Sequence, residues 1–129
     1  MPATENKSAP LKKSITFISR AAPYGSNNPH LCLDMALACA VFEQDVNYVF
    51  LNDGVYQLLR NQKGASIESK TIGNVFETLE LYGIDSVCVD EESLSQRGLR
   101  VEDLVIDVKL LSRQAIATLL HRSDCVFNL

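Results

Sequence analysis

The sequence predicts one α/β domain of three α/β/α layers, in which a mostly parallel five-stranded sheet lies between helices. Its length of 129 residues is that of a single compact domain. Apolar residues make up 47% and charged residues 22%, without a biased tract, so disordered and collagen-like classes are excluded. Short β-rich runs alternate with helical apolar spacing, which is typical of crossover units with helices on both faces of a parallel sheet.

The first half of the chain predicts a tail, two strands and a long helix. Residues 1–13 are polar and lack periodicity, so we expect a flexible N-terminal tail before a folded domain over residues 14–129. The runs SITFIS and VNYVFLN, residues 14–19 and 46–52, are the first two strands. A helix begins near Pro29 between them. Its predicted apolar stripe is Leu31, Met35, Ala38 and Phe42.

The second half predicts further strands that alternate with helices. Residues 54–64 are expected to form a short helix or turn, and a longer helix runs from Thr71 to Gly83. After a third strand, SVCVD, Asp90 is expected to cap a helix that ends at Arg97-Gly98. The remaining elements are a fourth, edge-type strand at 104–111, a helix capped by Ser112, and a fifth strand at 125–129.

Charge and hydropathy exclude several classes of partner. The net charge is −4, and residues 85–107 hold seven carboxylates against two arginines, so a polyanion would be repelled there. Direct binding of nucleic acid is therefore not expected. No apolar run reaches the roughly 20 residues that span a bilayer, and the N-terminus lacks the apolar stretch of a secretory leader. We expect a cytoplasmic protein without a membrane segment.

The cysteines and histidines do not indicate a metal or cofactor site. The chain has four cysteines, Cys32, Cys39, Cys88 and Cys125. They form no CxxC pair and lack the spacing of zinc ligands, so they are expected to be free thiols in a reducing compartment. His30 and His121 have no companion motif. We expect neither a metal nor a cofactor.

Candidate sites lie in the loops at the carboxyl ends of the predicted strands, where α/β sheets bind their ligands. The loop after the first strand holds Pro23, Tyr24 and Gly25 but lacks the GxGxxG phosphate motif, so it is either a weak nucleotide site or a turn. In the loop after the second strand, Asp53 either binds a hydroxyl or cation or forms a turn with Gly54.

Cys88 is the candidate nucleophile. A cysteine that transfers sulfur needs an exposed thiolate, stabilised by a positive neighbour or a helix N-terminus. Cys88 lies just before a predicted helix, but its position within a strand predicts burial, and the acidic residues 90–92 would raise its pKa. The alternatives are a buried structural thiol and a sulfur carrier.

Four segments of the chain together resemble one known family. RAAPYG, FLNDGVYQLL, ESLSQRGL and the closing DCVFNL occur in this order, and they are similar to the DsrE/DsrF-like family, most of all to its DsrF/TusC branch. The resemblance implies a flavodoxin-like α/β fold and a cytoplasmic sulfur-relay system. That system passes persulfide sulfur for 2-thiolation of the wobble uridine of tRNA or for dissimilatory sulfur oxidation.

The resemblance also implies particular partners. Chains of this branch assemble with a DsrE/TusD-like and a DsrH/TusB-like subunit, two copies of each, into a heterohexamer. A homo-oligomer is the alternative for the isolated chain. Because apolar side chains in loops indicate subunit contacts, we expect the loops at the carboxyl end of the sheet to hold the partners. The expected contact or loop-site residues are Pro23, Tyr24, Gly25, Asp53, Gly54, Val55, Tyr56 and Leu58.

The family's sulfur-carrying cysteine does not carry over to this chain. By resemblance it lies just after the third strand, before a helix that ends in Arg-Gly. Counting back from Arg97-Gly98 places Asp90 there, with Cys88 two residues upstream. The resemblance therefore implies a non-catalytic, structural subunit, and the alternative is a sulfurtransferase that carries persulfide on Cys88. A small-ligand or nucleotide-binding protein is a third class, which phosphate bound at Tyr24-Gly25 would favour.

Overall fold

Five parallel strands form one sheet at the centre of the protein. The computed structural model describes residues 12–23, 25–59, 76 and 79–129. The strands follow the order β4-β3-β2-β1-β5 across the sheet, so that β4 and β5 are its edges. Their bounds are β1 Ser14–Ser19, β2 Asp45–Phe50, β3 Ser86–Asp90, β4 Lys109–Leu111 and β5 Cys125–Asn128. This sheet confirms the predicted fold class.

Helices and 3₁₀ segments connect the strands. The described α-helices are α1 Asn28–Val41, α2 Glu91–Gln96 and α3 Arg113–Arg122. The 3₁₀ segments are Asn52–Leu58 after β2, Leu79–Tyr82 before β3 and Val101–Asp103 after α2. Asp90 and Ser112 cap α2 and α3 as predicted. The side chain of each accepts a hydrogen bond from the backbone N–H three residues later, that of Ser93 and that of Ala115.

The handedness of the connections explains which face each helix covers. From β1 to β4 the chain steps across the sheet in one direction, so right-handed crossovers place α1 and α2 on the same face. The connection from β4 to β5 runs back across the sheet, and α3 therefore lies on the opposite face. The order differs from the 2-1-3-4-5 order of flavodoxin, so the likeness to flavodoxin lies in the layers and the parallel strands.

The main core lies on the α1 face and is built around aromatic rings. Phe17, Tyr48 and Phe50 point to this face from β1 and β2, and all three are fully buried. The ring of Phe76 packs edge-on against Tyr48 and Phe50, with centroids 5.7 and 5.3 Å apart. Such edge-to-face pairs add about 1 kcal/mol each to the burial of the rings.

A smaller core lies under α3. It consists of Ile18, Val49 and Cys88 from three neighbouring strands and Ile116 from the helix. One ten-residue helix covers this face among the described elements. Thr16 is buried at its margin, where its hydroxyl is hydrogen bonded to that of Ser123 just after α3.

The predicted apolar stripe of α1 is wrong. The buried residues of this helix are Pro29, Cys32, Leu33 and Ala36, whereas Leu31 and Phe42 are 48% and 75% exposed. The sequence LCLDMALACAVF has apolar residues on nearly every side of the helix. The spacing therefore did not distinguish the buried face from the exposed one.

Two other predicted elements differ in extent. The predicted strand at 104–111 reduces to β4, because Leu104 instead forms an antiparallel bridge with Leu59 and Val105 N donates to Leu58 O. The helix predicted from Thr71 falls largely outside the described residues, as do residues 1–11 of the predicted tail and 60–64 of the predicted turn. Gly83 ends the preceding 3₁₀ segment with φ +88°, as its position predicted.

Candidate functional site

The loops after β1 and β2 are fastened together by a buried amide. Gln57 is fully buried, and its Nε2 donates hydrogen bonds of 2.8 Å to both Ser19 Oγ and Ala21 O. Leu51 N also donates to Ser19 O. The 3₁₀ segment after β2 is therefore held directly against the carboxyl end of β1, at the edge where ligands of parallel sheets bind.

Gly54 permits this close approach. A Cβ on Gly54 would lie 2.1 Å from Ser19 O, which is far inside van der Waals contact. Its φ is not positive, so the absence of a side chain, and not backbone freedom, is what the position requires. The sequence allowed Asp53 either to bind a hydroxyl or cation or to form a turn with Gly54, and the structure adds a packing role for the glycine.

Asp53 and Arg97 connect the β2 loop to the end of α2. Arg97 donates from Nε and Nη2 to Asp53 Oδ1, at 3.1 and 3.0 Å. The guanidinium also lies 5.9 Å from the centroid of the Tyr56 ring, within the range of a cation–π contact. Because the Asp53 carboxylate is 58% exposed, this ion pair contributes little to stability and mainly orients the loop.

Asp90 ends β3 as a buried carboxylate that is hydrogen bonded through one of its two oxygens. Its Oδ2 accepts from Ser93 N at 3.2 Å, from Ser93 Oγ at 2.6 Å and from Arg113 Nε at 2.8 Å. The side chain has no solvent exposure, and Oδ1 has no hydrogen-bond partner among the described residues. Ser93 Oγ accepts in turn from Asn52 N, so Asp90 helps to join β2, β3 and α3.

Cys88 is buried, with 2% of its surface exposed, and packs between β2 and α3. Burial raises the pKa of its thiol, while the Ser86 hydroxyl and the charge of Lys109 oppose that rise. Lys109 is the partner of Cys88 in the register of β3 and β4. The acidic residues 90–92 do not contribute to this pKa shift, although their sequence position suggested it. The thiol is held neutral and away from solvent.

The other thiols differ in access. Cys32 is buried, Cys39 is half-buried and Cys125 is exposed, and all are free. Burial raises the pKa of Cys32 and of Cys39, and the nearby Cys125 raises that of Cys39 further. Within the described ranges, no three His, Cys, Asp or Glu side chains are grouped as metal ligands. No described helix is long and apolar enough to cross a membrane.

The structure corrects part of the expected contact surface. Val55 and Leu58 are fully buried in this chain's own core, so their side chains are not available to a partner. Sequence spacing failed here because a 3₁₀ segment, and not an open loop, turns these side chains inward. Asp53 is exposed and Tyr56 is half-buried. Of the remaining expected residues, Pro23 and Gly54 are buried and Gly25 is exposed. Tyr24 lies outside the described residues.

Sequence reasoning missed three side chains of this region. Gln57, Ser93 and Arg113 make hydrogen bonds that join separate elements. Ser93 had a usable local signal, since it lies three residues after a capping Asp and could be expected to meet it. Gln57 and Arg113 bond to residues 38 and 23 positions away, and no local pattern indicates such pairs.

The comparisons with known proteins agree with this fold. The sequence model of the DsrE/DsrF-like family matches residues 13–129. A TusC homolog from Vibrio vulnificus is 38% identical over 109 residues, which covers 84% of this chain and 92% of the relative. The intracellular sulfur oxidation protein DsrF of Allochromatium vinosum is 35% identical, covering 90% of this chain and 96% of the relative.

A solved structure gives the same result for the fold. The crystal structure of the ychN protein from E. coli superposes with a TM-score of 0.76 and covers 92% of this chain and 100% of that chain. Its sequence identity is 24%, so this likeness concerns the fold alone. The family match spans nearly the whole sequence, including every described strand and helix. This chain belongs to the DsrE/DsrF-like family.

Proposed function

We propose that this chain is a structural, non-catalytic subunit of a cytoplasmic sulfur-relay complex. In this proposal the persulfide sulfur travels on cysteines of the partner subunits, one DsrE/TusD-like and one DsrH/TusB-like, in a heterohexamer. The end use is 2-thiolation of the tRNA wobble uridine or dissimilatory sulfur oxidation. Relatives named TusC and DsrF, at 33–38% identity, support the sulfur-relay part of the proposal.

The end of β3 is the observation that carries the proposal. A sulfur acceptor needs a thiol that the donor protein can reach and that ionises near neutral pH. Cys88 has neither property, because it is buried and its pKa is raised. Asp90 occupies the point that the family resemblance assigns to the carrier, and its carboxylate is occupied by Ser93 and Arg113. A carboxylate cannot hold sulfur as a persulfide.

Persulfide loading tests the proposal directly. The purified chain is incubated with a cysteine desulfurase and cysteine, and its intact mass is read for added sulfur. A DsrE-like partner in the same tube is the positive control. Because Cys125 is exposed and can take up sulfur without any biological role, the assay uses a Cys125→Ser background. We expect the partner to load and this chain to stay unmodified.

The competing function is a sulfurtransferase that carries persulfide on Cys88. The matched variant for it is Cys88→Ser in the same Cys125→Ser background. A one-sulfur adduct that appears with Cys88 present and disappears in the double variant would make this chain a carrier and overturn the proposal.

The exposed part of the carboxyl-end loops is proposed to contact a partner. After the correction for burial, this surface consists of Gly25, Asp53 and Tyr56. Its support is that Arg97 fixes both Asp53 and Tyr56 in place, so the loop presents a defined shape before any partner arrives. A surface ordered in advance loses less entropy on association.

A further inference from the structure

Four large apolar side chains are exposed at the opposite end of the sheet, where the strands begin. We define the basal surface as Val41, Phe42, Leu81 and Tyr82. Their exposed fractions are 69%, 75%, 84% and 49%. Single exposed apolar residues are ordinary, but a contiguous group of them on a small domain marks an interaction site.

The topology brings these four residues together. Helix α1 runs antiparallel to the strands and ends just before β2 begins, while the 3₁₀ segment Leu79–Tyr82 ends just before β3 begins. Since β2 and β3 are neighbours in the sheet, the two ends lie side by side. Helix α1 packs against that 3₁₀ segment. The basal surface is therefore one patch built from two elements.

Backbone hydrogen bonds fix both halves of the basal surface. At the end of α1, Phe42 N donates to Ala38 O, and Gln44 N donates to Cys39 O. At the end of the 3₁₀ segment, Gly83 N donates to Glu80 O and Ile84 N donates to Leu79 O. These closed turns fix the backbone that carries the exposed side chains, which reduces the ordering cost of docking.

Four exposed carboxylates lie within three residues of the basal surface along the chain. Glu43, Asp45, Glu80 and Asp85 adjoin it in sequence and are exposed. A groove of about 560 Å³ beside Glu80 and Asp85 also includes Asp107 and Lys109 in its lining. Lys13 lies at the same end of the sheet, next to Asp45 on the β1 side and away from the 3₁₀ segment, and exposed Lys12 precedes it. The rim is therefore predominantly negative.

We propose that the basal surface docks a different subunit of the sulfur-relay complex, whose matching face is apolar with Lys and Arg at its rim. This inference rests on the proposed function. The charge of the rim selects the occupant, because a second copy of this chain would place like carboxylates against each other, which disfavours association. A basic rim on the partner would be attracted to the same carboxylates and would accelerate encounter.

The test measures binding of the purified partner subunits to three forms of the full chain. Phe42→Ser and Leu81→Ser remove the two most exposed side chains of the basal surface, and Leu31→Ser removes an exposed apolar side chain near the other end of α1. Circular dichroism melts check that each variant is folded. Central apolar residues of an interface dominate its affinity. We therefore expect Kd to rise at least tenfold for the first two variants and less than twofold for Leu31→Ser.

A charge variant tests the chemistry of the occupant. Glu80→Lys is expected to slow association and to weaken the salt dependence of the association rate, whereas Glu102→Lys, exposed elsewhere, leaves both unchanged.

Partner binding that is unaltered in Phe42→Ser and Leu81→Ser would refute the inference and leave the proposed function standing. A homodimer of the isolated chain that Leu81→Ser dissociates would identify a second copy as the occupant and also refute it. A wild-type chain that binds neither partner would defeat the proposed function itself.

Discussion

At the scale of single residues, Gly54 shows how strictly one position is constrained by its neighbour. Gly54→Ala would place a methyl group on the backbone oxygen of Ser19, which cannot rotate away. We expect a loss of roughly 3 kcal/mol in the free energy of unfolding, because the β1 and β2 loops must separate. Urea unfolding monitored by circular dichroism measures it.

Gly98→Ala is the matched control for Gly54. Gly98 has φ +66° and open space around its missing side chain, so the same substitution brings backbone strain without a clash. That strain costs about 1 kcal/mol. Equal losses for the two variants would contradict the packing role of Gly54.

Asp90 and Asp53 form a second comparison between single residues. Both carboxylates pair with an arginine, but Asp90 is fully buried and caps α2, whereas Asp53 is mostly exposed. We expect Asp90→Ala to lose about 3 kcal/mol of unfolding free energy, since it removes a helix cap and leaves the N–H and hydroxyl of buried Ser93 without their acceptor. Asp53→Ala is expected to lose less than about 1 kcal/mol. Chemical denaturation of both variants measures the difference, and a similar loss for both would contradict this account.

At the scale of elements, the end of α1 carries a residue in an unfavourable conformation. Glu43 has φ +61°, and its N–H and that of Gln44 donate to Ala40 O and Cys39 O. This is the Schellman arrangement, whose left-handed position ordinarily holds glycine. Glu43→Gly is therefore expected to stabilise the protein by about 1 kcal/mol. A thermal or urea unfolding curve measures it.

Glu43→Ala separates the conformational effect from the loss of the side chain. Alanine meets the same steric penalty as glutamate in the left-handed region, so this variant is expected to gain nothing. If alanine and glycine stabilised α1 equally, the carboxylate and not the backbone would be the source of the cost.

The elements also show which kinds of information the sequence contains. Asp90, Ser112 and Gly83 were predicted correctly, because caps and stops depend on residues within one helical turn. The sequence did not predict the buried face of α1 or the burial of Val55 and Leu58. Burial depends on which strand or helix lies opposite a side chain, and local spacing does not contain that information. The pairing of Asp53 with Arg97 joins residues 44 positions apart and had no local signature.

At the scale of the whole molecule, buried titratable groups predict loss of stability in alkali. Burial raises the pKa of Cys32, Cys88 and Tyr48 above their ordinary values, and that of Tyr48 by a large amount. The folded state therefore holds these protons more tightly than the unfolded chain does. Their contribution to the unfolding free energy is complete at pH values below their ordinary pKa values, and it is lost as the pH rises through the raised pKa values of the folded state. We expect the unfolding free energy to fall between about pH 9 and 11.

Tyr48→Phe tests the origin of that loss. Without the Tyr48 hydroxyl, the unfolding free energy is expected to fall less steeply over the same range of pH. Tyr82→Phe is the control, since it removes the same hydroxyl from a tyrosine that is about half exposed. Urea titrations at each pH measure the slope, and an identical slope in wild type and Tyr48→Phe would contradict the assignment.

The last prediction concerns the assembly that this molecule is proposed to join. Tyr56 lies half-buried at the carboxyl end of the sheet beneath the Arg97 guanidinium. Tyr56→Asp would place a carboxylate in the proposed contact with the partner, and the cost of removing that carboxylate from water opposes association. In the free chain, Arg97 can still pair with the new carboxylate. We expect the complex with the DsrE/TusD-like and DsrH/TusB-like subunits to dissociate and the isolated chain to stay folded. Native mass spectrometry measures the first result and circular dichroism the second. Gln114→Asp, an exposed position on α3, should leave the assembly intact, and an unchanged assembly mass for Tyr56→Asp would remove the carboxyl-end loops from the proposed interface.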